Sequence, residues 1–239
     1  MCGIVGVINN NGRPVVGDLG NGAHFLQHRG PAYAGLFLFD PVHRRYALER
    51  GEGLADDIFK PLVDLNGDLG IAHTRYKTFG SGGTVNAQPF FDAFLGLSLA
   101  HNGHITNVKQ IDNELGRRGQ ALAANCDAEP LQRVLPLWIE HFRREDSQAE
   151  EKEIFFKAVA EIQKRVTGAY SAVAVTPSGL YAFRDPHGFR PMVRGSRERG
   201  GQKTAMIASE TLALEQNGFS VDEEVPRGTA LYIDRDLNN

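Results

Sequence analysis

Cys2 follows the initiator methionine in the opening MCGIVGVINN. A second residue this small normally permits removal of Met1, which would leave Cys2 with a thiol and a free α-amino group on one carbon. The reference pKa of such an amine is about 7.7–8.0, so an appreciable fraction is neutral and can accept a proton. The thiol is the best nucleophile among the common side chains. Cys2 would then be a nucleophile with its own base attached. The plainer alternative is that GIVGVI is a strand and Cys2 only the residue before it.

Further segments carry groups that fit the same chemistry: LQHRGPAYAG with Arg29, AHTRYKTFGSGG with Arg75, AHNGHITN with Asn102 and Gly103, and NCDAEPL with Asp127. Each also has a local explanation. Asn-Gly after a strand is a hairpin signal, and Asp127 can support the start of a helix. Arg75 can be a solvated charge at a strand end, and HRG a helix terminus with its glycine stop. Taken together they match hydrolysis of a carboxamide through an acyl-enzyme. That reaction needs a nucleophile, a base, and donors for the developing oxyanion. A side-chain amide beside a glycine N–H supplies two such donors. A planar guanidinium and a carboxylate fit the α-carboxylate and α-ammonium of an amino-acid substrate.

The elements that must position these groups fall in a strands–helices–strands order. GIVGVI, AGLFLFD, RRYALER, GDLGIAHTRY and FLGLSLAHN read as strands in the first half, and GAYSAVAVT, GLYAFRD, PMVRG, KTAMIAS and TALYID in the second. Between them, Leu131, Val134, Leu135, Trp138, Ile139 and Phe142 make one helical stripe in Asp127 to Phe142. Ile154, Phe155, Ala158, Val159, Ile162 and Val166 make another, with the charged RREDSQAEEKE as a solvated connection. Further helices are expected over Gly17 to Gln27 and from HNGHIT through Leu115. A short one begins near Ser209, with Ser209 as its cap and Gly218 as its stop. No linker or repeat divides the 239 residues. The pattern predicts one α+β domain of antiparallel sheets under helix layers.

Composition narrows the partners. A net charge of −3 without a dense basic run argues against a nucleic-acid surface. No apolar run is long enough for a membrane span, and no signal-peptide pattern opens the chain. Two cysteines, Cys2 and Cys126, do not make a disulfide framework, and the histidines show no metal-binding spacing. These readings predict a cytoplasmic protein with reduced thiols and no metal or cofactor.

CGIVG, LQHRG, HTRY, NAQPF, LAHNGHITN, CDAE, GAYS, RDPHGFRP and ASETLAL occur in an order and spacing that resemble the class II glutamine amidotransferases, which are N-terminal nucleophile hydrolases. Within that class the chain resembles the glutaminase domain of the amidophosphoribosyltransferases over essentially its whole length. The resemblance implies a four-layer αββα sandwich, with Cys2 as nucleophile and Asn102 with Gly103 as oxyanion hole. It also implies that Arg75 and Asp127 bind the two ends of L-glutamine and that Arg29 lies near the thiol among the substrate-binding residues. The stretch Lys77 to Gly83 resembles a loop that closes over glutamine. RDPHGFRP is expected to be a structural turn between strands.

Three departures from the family stand out. His104 stands where the family usually has HNGN or a close polar equivalent, Cys126 replaces a frequent serine, and RYKTFG replaces an RYPTAG-like stretch. The only DD dipeptide, Asp56-Asp57, lacks a following phosphate-cradling loop. No phosphoribosyltransferase or synthase domain is therefore expected within residues 1–239. The ammonia would pass to a synthase partner. The alternatives are a truncated amidophosphoribosyltransferase and a non-catalytic, glutamine-binding regulatory subunit.

Overall fold

The computed structural model describes residues 1–62, 65–77 and 83–238. Residues 78–82, most of the predicted closing loop, lie outside the described residues. The first strand, β1 (Gly3–Asn9), is buried along its whole length because it is covered on both faces. Its side chains alternate: Ile4 and Ile8 point between two sheets, whereas Val5 and Val7 point to a helix layer. A period of two written in β-branched residues suits such a central strand.

Among the described residues β1 lies at the middle of a seven-stranded sheet. It pairs antiparallel with β4 (Leu69–Arg75) on one side and β10 (Gln202–Ala208) on the other. Beyond β4 come β2 (Tyr33–Asp40) and β3 (Arg45–Glu52), and beyond β10 come β9 (Val193–Arg199) and β11 (Ser220–Glu224). A five-stranded sheet contains β5 (Phe90–Asp92), β6 (Leu97–Ile105), β7 (Gly168–Thr176), β8 (Gly179–Arg184) and β12 (Ala230–Asp234). Its neighbours are also antiparallel.

Ile4, Phe37, Ile71, Ala100, Val173 and Leu180 fill the space between the sheets. Helices α1 (Val16–Phe25), α2 (Ala55–Phe59) and α6 (Thr211–Gln216) cover the outer face of the larger sheet. Helices α3 (Val108–Arg117), α4 (Ala128–Glu145) and α5 (Glu151–Arg165) cover the smaller one. The layers run helix, sheet, sheet, helix, the four-layer αββα arrangement expected of this α+β chain.

Each strand and helix expected from the sequence is present, with shifted ends. The charged connection shortens to residues 146–150 as α4 and α5 extend into it. Elements not anticipated are short: α2, β5 and β11. Ser209 differs from its expected role as a helix cap. Its Oγ accepts the Ile4 N–H at 2.9 Å, and its own N–H donates to the Ile4 carbonyl at 3.0 Å. Ser209 thus prolongs the β10–β1 ladder, and α6 begins one residue past Glu210. Satisfying the backbone of a central strand outweighs a cap that solvent can replace. Gly218, at φ +72°, does end the helical segment.

Candidate active site

The register of the larger sheet sets the site. Gly3 pairs with Thr74, which brings Cys2 to the end of β4 where Arg75 stands. Tyr33 of β2 pairs with Arg75 from the other side. The Arg75 side chain is buried, with its guanidinium 5.8 Å from the centre of the Tyr33 ring. The Tyr33 hydroxyl accepts the Gly83 N–H at 2.9 Å, anchoring the residue just after the undescribed stretch.

The HRG segment locks the backbone of Cys2. Arg29 Nε donates to the Cys2 carbonyl at 2.7 Å, and its Nη1 pairs with Glu210, which also meets His28. Arg29, grouped by sequence with the substrate-binding residues, therefore directs these bonds at Cys2 and Glu210. Gly30 lets this segment lie against β4: a Cβ there would stand 2.5 Å from the Arg75 carbonyl carbon and 2.6 Å from the Thr74 oxygen. Gly30→Ala should push Arg75 out of register and destabilise the fold by about 1–3 kcal/mol. A Tm lowered by several degrees in calorimetry would bear this out, and an unchanged Tm would contradict it.

The second sheet brings the remaining groups. Asn102 and Gly103 lie within β6, opposite Ser171 and Tyr170 of β7, so the pair is not a hairpin turn. A Cβ at Gly103 would come within 2.1 Å of the Ala169 oxygen, so the close strand contact demands glycine. Asn102 is 1% exposed, and among the described residues its Nδ2 has no hydrogen-bond partner. Leaving a buried amide donor unpaired costs about 1–3 kcal/mol. Such a donor is suited to an acceptor that arrives with a ligand or transition state. Strands β1 and β4 pack on β6 across the sheet interface.

Asp127, just before α4, does not cap that helix with its side chain. Its Oδ2 instead accepts the Ile105 N–H at the end of β6, at 2.9 Å. The segment carrying it is held by Glu129, whose buried carboxylate accepts the Ala123 N–H at 3.1 Å and also the Ala124 N–H.

Burial pushes the Cys2 thiol above its ordinary pKa. The Tyr76 N–H, the amino terminus and Arg75 pull it down, while Asp127 pushes it up. Cys2, Arg75 and Asp127 therefore feel one another's charge. The resting thiol therefore keeps its proton. His73 is buried and lowered to about 3, and its Nε2 donates to the His101 carbonyl at 3.3 Å. His101 is buried and pushed down as well, chiefly by desolvation. Its backbone N–H donates to Gln88 Oε1 at 2.6 Å. Cys126 is a buried thiol raised by desolvation, with the Ala128 and Glu129 N–H groups directed at it.

RDPHGFRP forms the expected turn after β8. Fully buried Asp185 accepts from Tyr170 N–H at 2.9 Å, His187 N–H at 2.8 Å and Gly188 N–H at 3.0 Å. Its last arginine does more than shape a turn. Arg190 Nη1 lies 2.9 Å from Met1 Sδ, and its charge helps to hold His101 neutral. Arg190, Glu210 and Tyr33 were not singled out from sequence. Each lies inside a segment that stood out for other residues: Arg190 in RDPHGFRP, Glu210 in ASETLAL and Tyr33 in LQHRGPAYAG.

Among the described residues no group of three or more His, Cys, Asp or Glu side chains could hold a metal ion. Nor is any described helix long and apolar enough to cross a membrane.

Two antiparallel sheets between helix layers, with a cysteine at the head of the central strand, define an N-terminal nucleophile hydrolase fold. The glutamine amidotransferase domain family matches residues 73–216, and the chain belongs to that family. It is similar to the amidophosphoribosyltransferase of Pasteurella multocida, with 37% identity over 238 residues, covering 98% of this chain and 46% of that protein. Two solved structures superpose on 98% of the chain and 47% of their own. One is described as the allosteric regulatory enzyme of purine biosynthesis (TM-score 0.80, 28% identity). The other is the B. subtilis glutamine phosphoribosylpyrophosphate amidotransferase complexed with ADP and GMP (TM-score 0.78, 27% identity). The chain spans about half the length of the curated relatives it matches.

Proposed function

We propose that this class II glutamine amidotransferase domain hydrolyses the side-chain amide of L-glutamine through a thioester on Cys2, giving glutamate and ammonia. The observation that carries this reading is Asn102 of β6, whose Nδ2 is buried without a partner among the described residues, on a strand that packs against β1 and β4. With Met1 removed, the Cys2 amine accepts the thiol proton, directly or through water. The sulfur attacks the amide carbon, and Asn102 Nδ2 and the Gly103 N–H stabilise the tetrahedral oxyanion. The amine returns the proton to the departing nitrogen, ammonia leaves, and water cleaves the thioester. Arg75 takes the α-carboxylate and Asp127 the α-ammonium, while Arg29 positions the nucleophile's backbone.

The ammonia passes to a synthase activity, either on a separate subunit or as the acceptor half of an amidophosphoribosyltransferase. The length of the relatives supports the second form. Both described thiols are free, which suits a cytoplasmic setting. Intact donors around Cys2 argue against a merely regulatory glutamine-binding role.

Arg75→Lys and Asp127→Asn test recognition apart from chemistry. Each removes a charge-assisted interaction worth about 1.5–3 kcal/mol, so KM for glutamine should rise roughly 10–100-fold. Alkylation of Cys2 by iodoacetamide should change little. Unaltered glutamine saturation in both variants would remove these residues from the site.

A further inference from the structure

The candidate groups are divided between two sheets. Cys2 heads β1 and Arg75 ends β4 in the larger one, whereas Asn102 and Gly103 stand on β6 of the smaller. The pairing of β6 with β5 stops at Leu99, while its pairing with β7 runs on without a shift to Ile105. Beyond Leu99, among the described residues, β6 therefore has one strand partner and one open edge. Backbone N–H groups of alternate residues point out of such an edge. The His101 N–H is taken there by the Gln88 side chain at 2.6 Å, and the Ile105 N–H by Asp127 at 2.9 Å. Gly103 lies midway, so the alternation aims its N–H out of the same edge, between those two.

Gln88 is held from the other sheet. The neighbouring Ala87 carbonyl accepts from Arg50 Nη1 of β3 at 2.9 Å. The Gln88 carbonyl lies against β2, where a Cβ at Gly35 would come within 2.1 Å of its oxygen. Asn86, in the same NAQPF segment, accepts the Asn125 N–H at 3.1 Å, close to Asp127 in the chain. The buried Gln88 side chain thus joins a backbone seated on the larger sheet to the open edge of the smaller one.

We infer that Gln88 is a positioning residue of the oxyanion hole: by accepting the His101 N–H it fixes Asn102 and the Gly103 N–H relative to the Cys2 thiol. The inference rests on those two groups being the oxyanion donors. Such donors act only when fixed at about 3 Å from where the charge forms. A misplacement of about 1 Å costs about 10²-fold in rate. Asp127 grips the other flank of Gly103 but also serves the substrate's ammonium group. Gln88 has no such second task, so its replacement separates aim from recognition.

The test uses the chain lacking Met1. Gln88→Met fills the space without an acceptor, and Gln88→Glu keeps an acceptor oxygen in either protonation state. In Gln88→Met, kcat for glutamine hydrolysis should fall roughly 10–100-fold while KM stays within about twofold, because Arg75 and Asp127 are untouched. Gln88→Glu should recover most of that loss. Gln88→Asn, whose amide falls one methylene short, should repeat the split and serves if methionine is not accommodated. Alkylation of Cys2 by iodoacetamide, which forms no oxyanion, should proceed at one rate throughout, and calorimetry checks that each chain is folded. Native kcat in the folded Gln88→Met and Gln88→Asn chains would overturn the inference. So would a fall in kcat matched by slower alkylation or a parallel rise in KM, which marks general loosening of the site. Asn102→Ala tests the reading beneath and should lose about 10²–10³-fold in kcat. That loss beside native Gln88 variants would remove Gln88 alone. Near-native turnover in Asn102→Ala would overturn the oxyanion hole, and the inference with it.

Discussion

Cys2→Ala should abolish glutamine hydrolysis, with turnover falling by about 10³-fold or more, while the fold persists. Removing the nucleophile from a covalent mechanism leaves only the binding and oxyanion contributions. Stability should change little, because Cys2 precedes the ladder of β1 and its carbonyl, which Arg29 grips, survives the substitution. Cys126→Ser supplies the contrast. The Ala128 and Glu129 N–H groups directed at the Cys126 thiol would meet a hydroxyl oxygen able to accept from them. That variant should keep most of its activity. Release of ammonia and glutamate measures both, and calorimetry checks the fold. Near-native turnover by Cys2→Ala, or its loss in Cys126→Ser alone, would move the nucleophile elsewhere.

What the sequence could show of this site followed the range of the interactions involved. Strands such as GIVGVI and GAYSAVAVT announce themselves because a buried strand is a continuous apolar run. The stripes of α4 and α5 likewise have several turns in which to repeat. The five residues of α2 and the three of β5 span too little of a period to register. The local meaning of Asn-Gly pointed to a hairpin, yet β7 pairs straight through Asn102 and Gly103. Ser209 had the chemistry of a cap, but the Ile4 N–H, distant in sequence, claimed its hydroxyl. Local propensity lost in both cases to partners that only the folded sheet supplies. Arg190 is the sharpest instance. Its neighbours Asp185 and Gly188 make a turn that explains the motif, and only the tertiary structure brings its guanidinium to the first residue of the chain. Convergence of β1, β4, β6 and the start of α4 on one point is likewise absent from any window of sequence. The family resemblance, not periodicity, is what singles out Cys2 as a candidate nucleophile.

Retention of Met1 should be nearly as damaging as loss of the thiol. In the chain carrying Met1, the nitrogen of Cys2 is a peptide amide and cannot accept a proton. The thiol is raised by burial, and His73 and His101 are both pushed down, chiefly by desolvation. The methionine, itself exposed, also has its sulfur 2.9 Å from Arg190 Nη1 and 4.0 Å from Arg29 Nη2. Removing Met1 therefore exposes an amine and frees the Arg190 contact in one step. General-base assistance contributes about 10²–10⁴-fold, and the unprocessed protein should be slower by that order. The measurement separates processed and unprocessed chains by intact mass after growth with and without an inhibitor of methionine removal. Each is then exposed to a glutamine analogue with an electrophile at the amide position. Labelling of Cys2 should be confined to the processed chain, whereas a small uncharged alkylating reagent should reach the thiol in both. Labelling of both forms by the analogue at one rate would show that the α-amine is not the base. The proton would then need another acceptor, and Asp127, whose charge the thiol already feels, would be the next group to test.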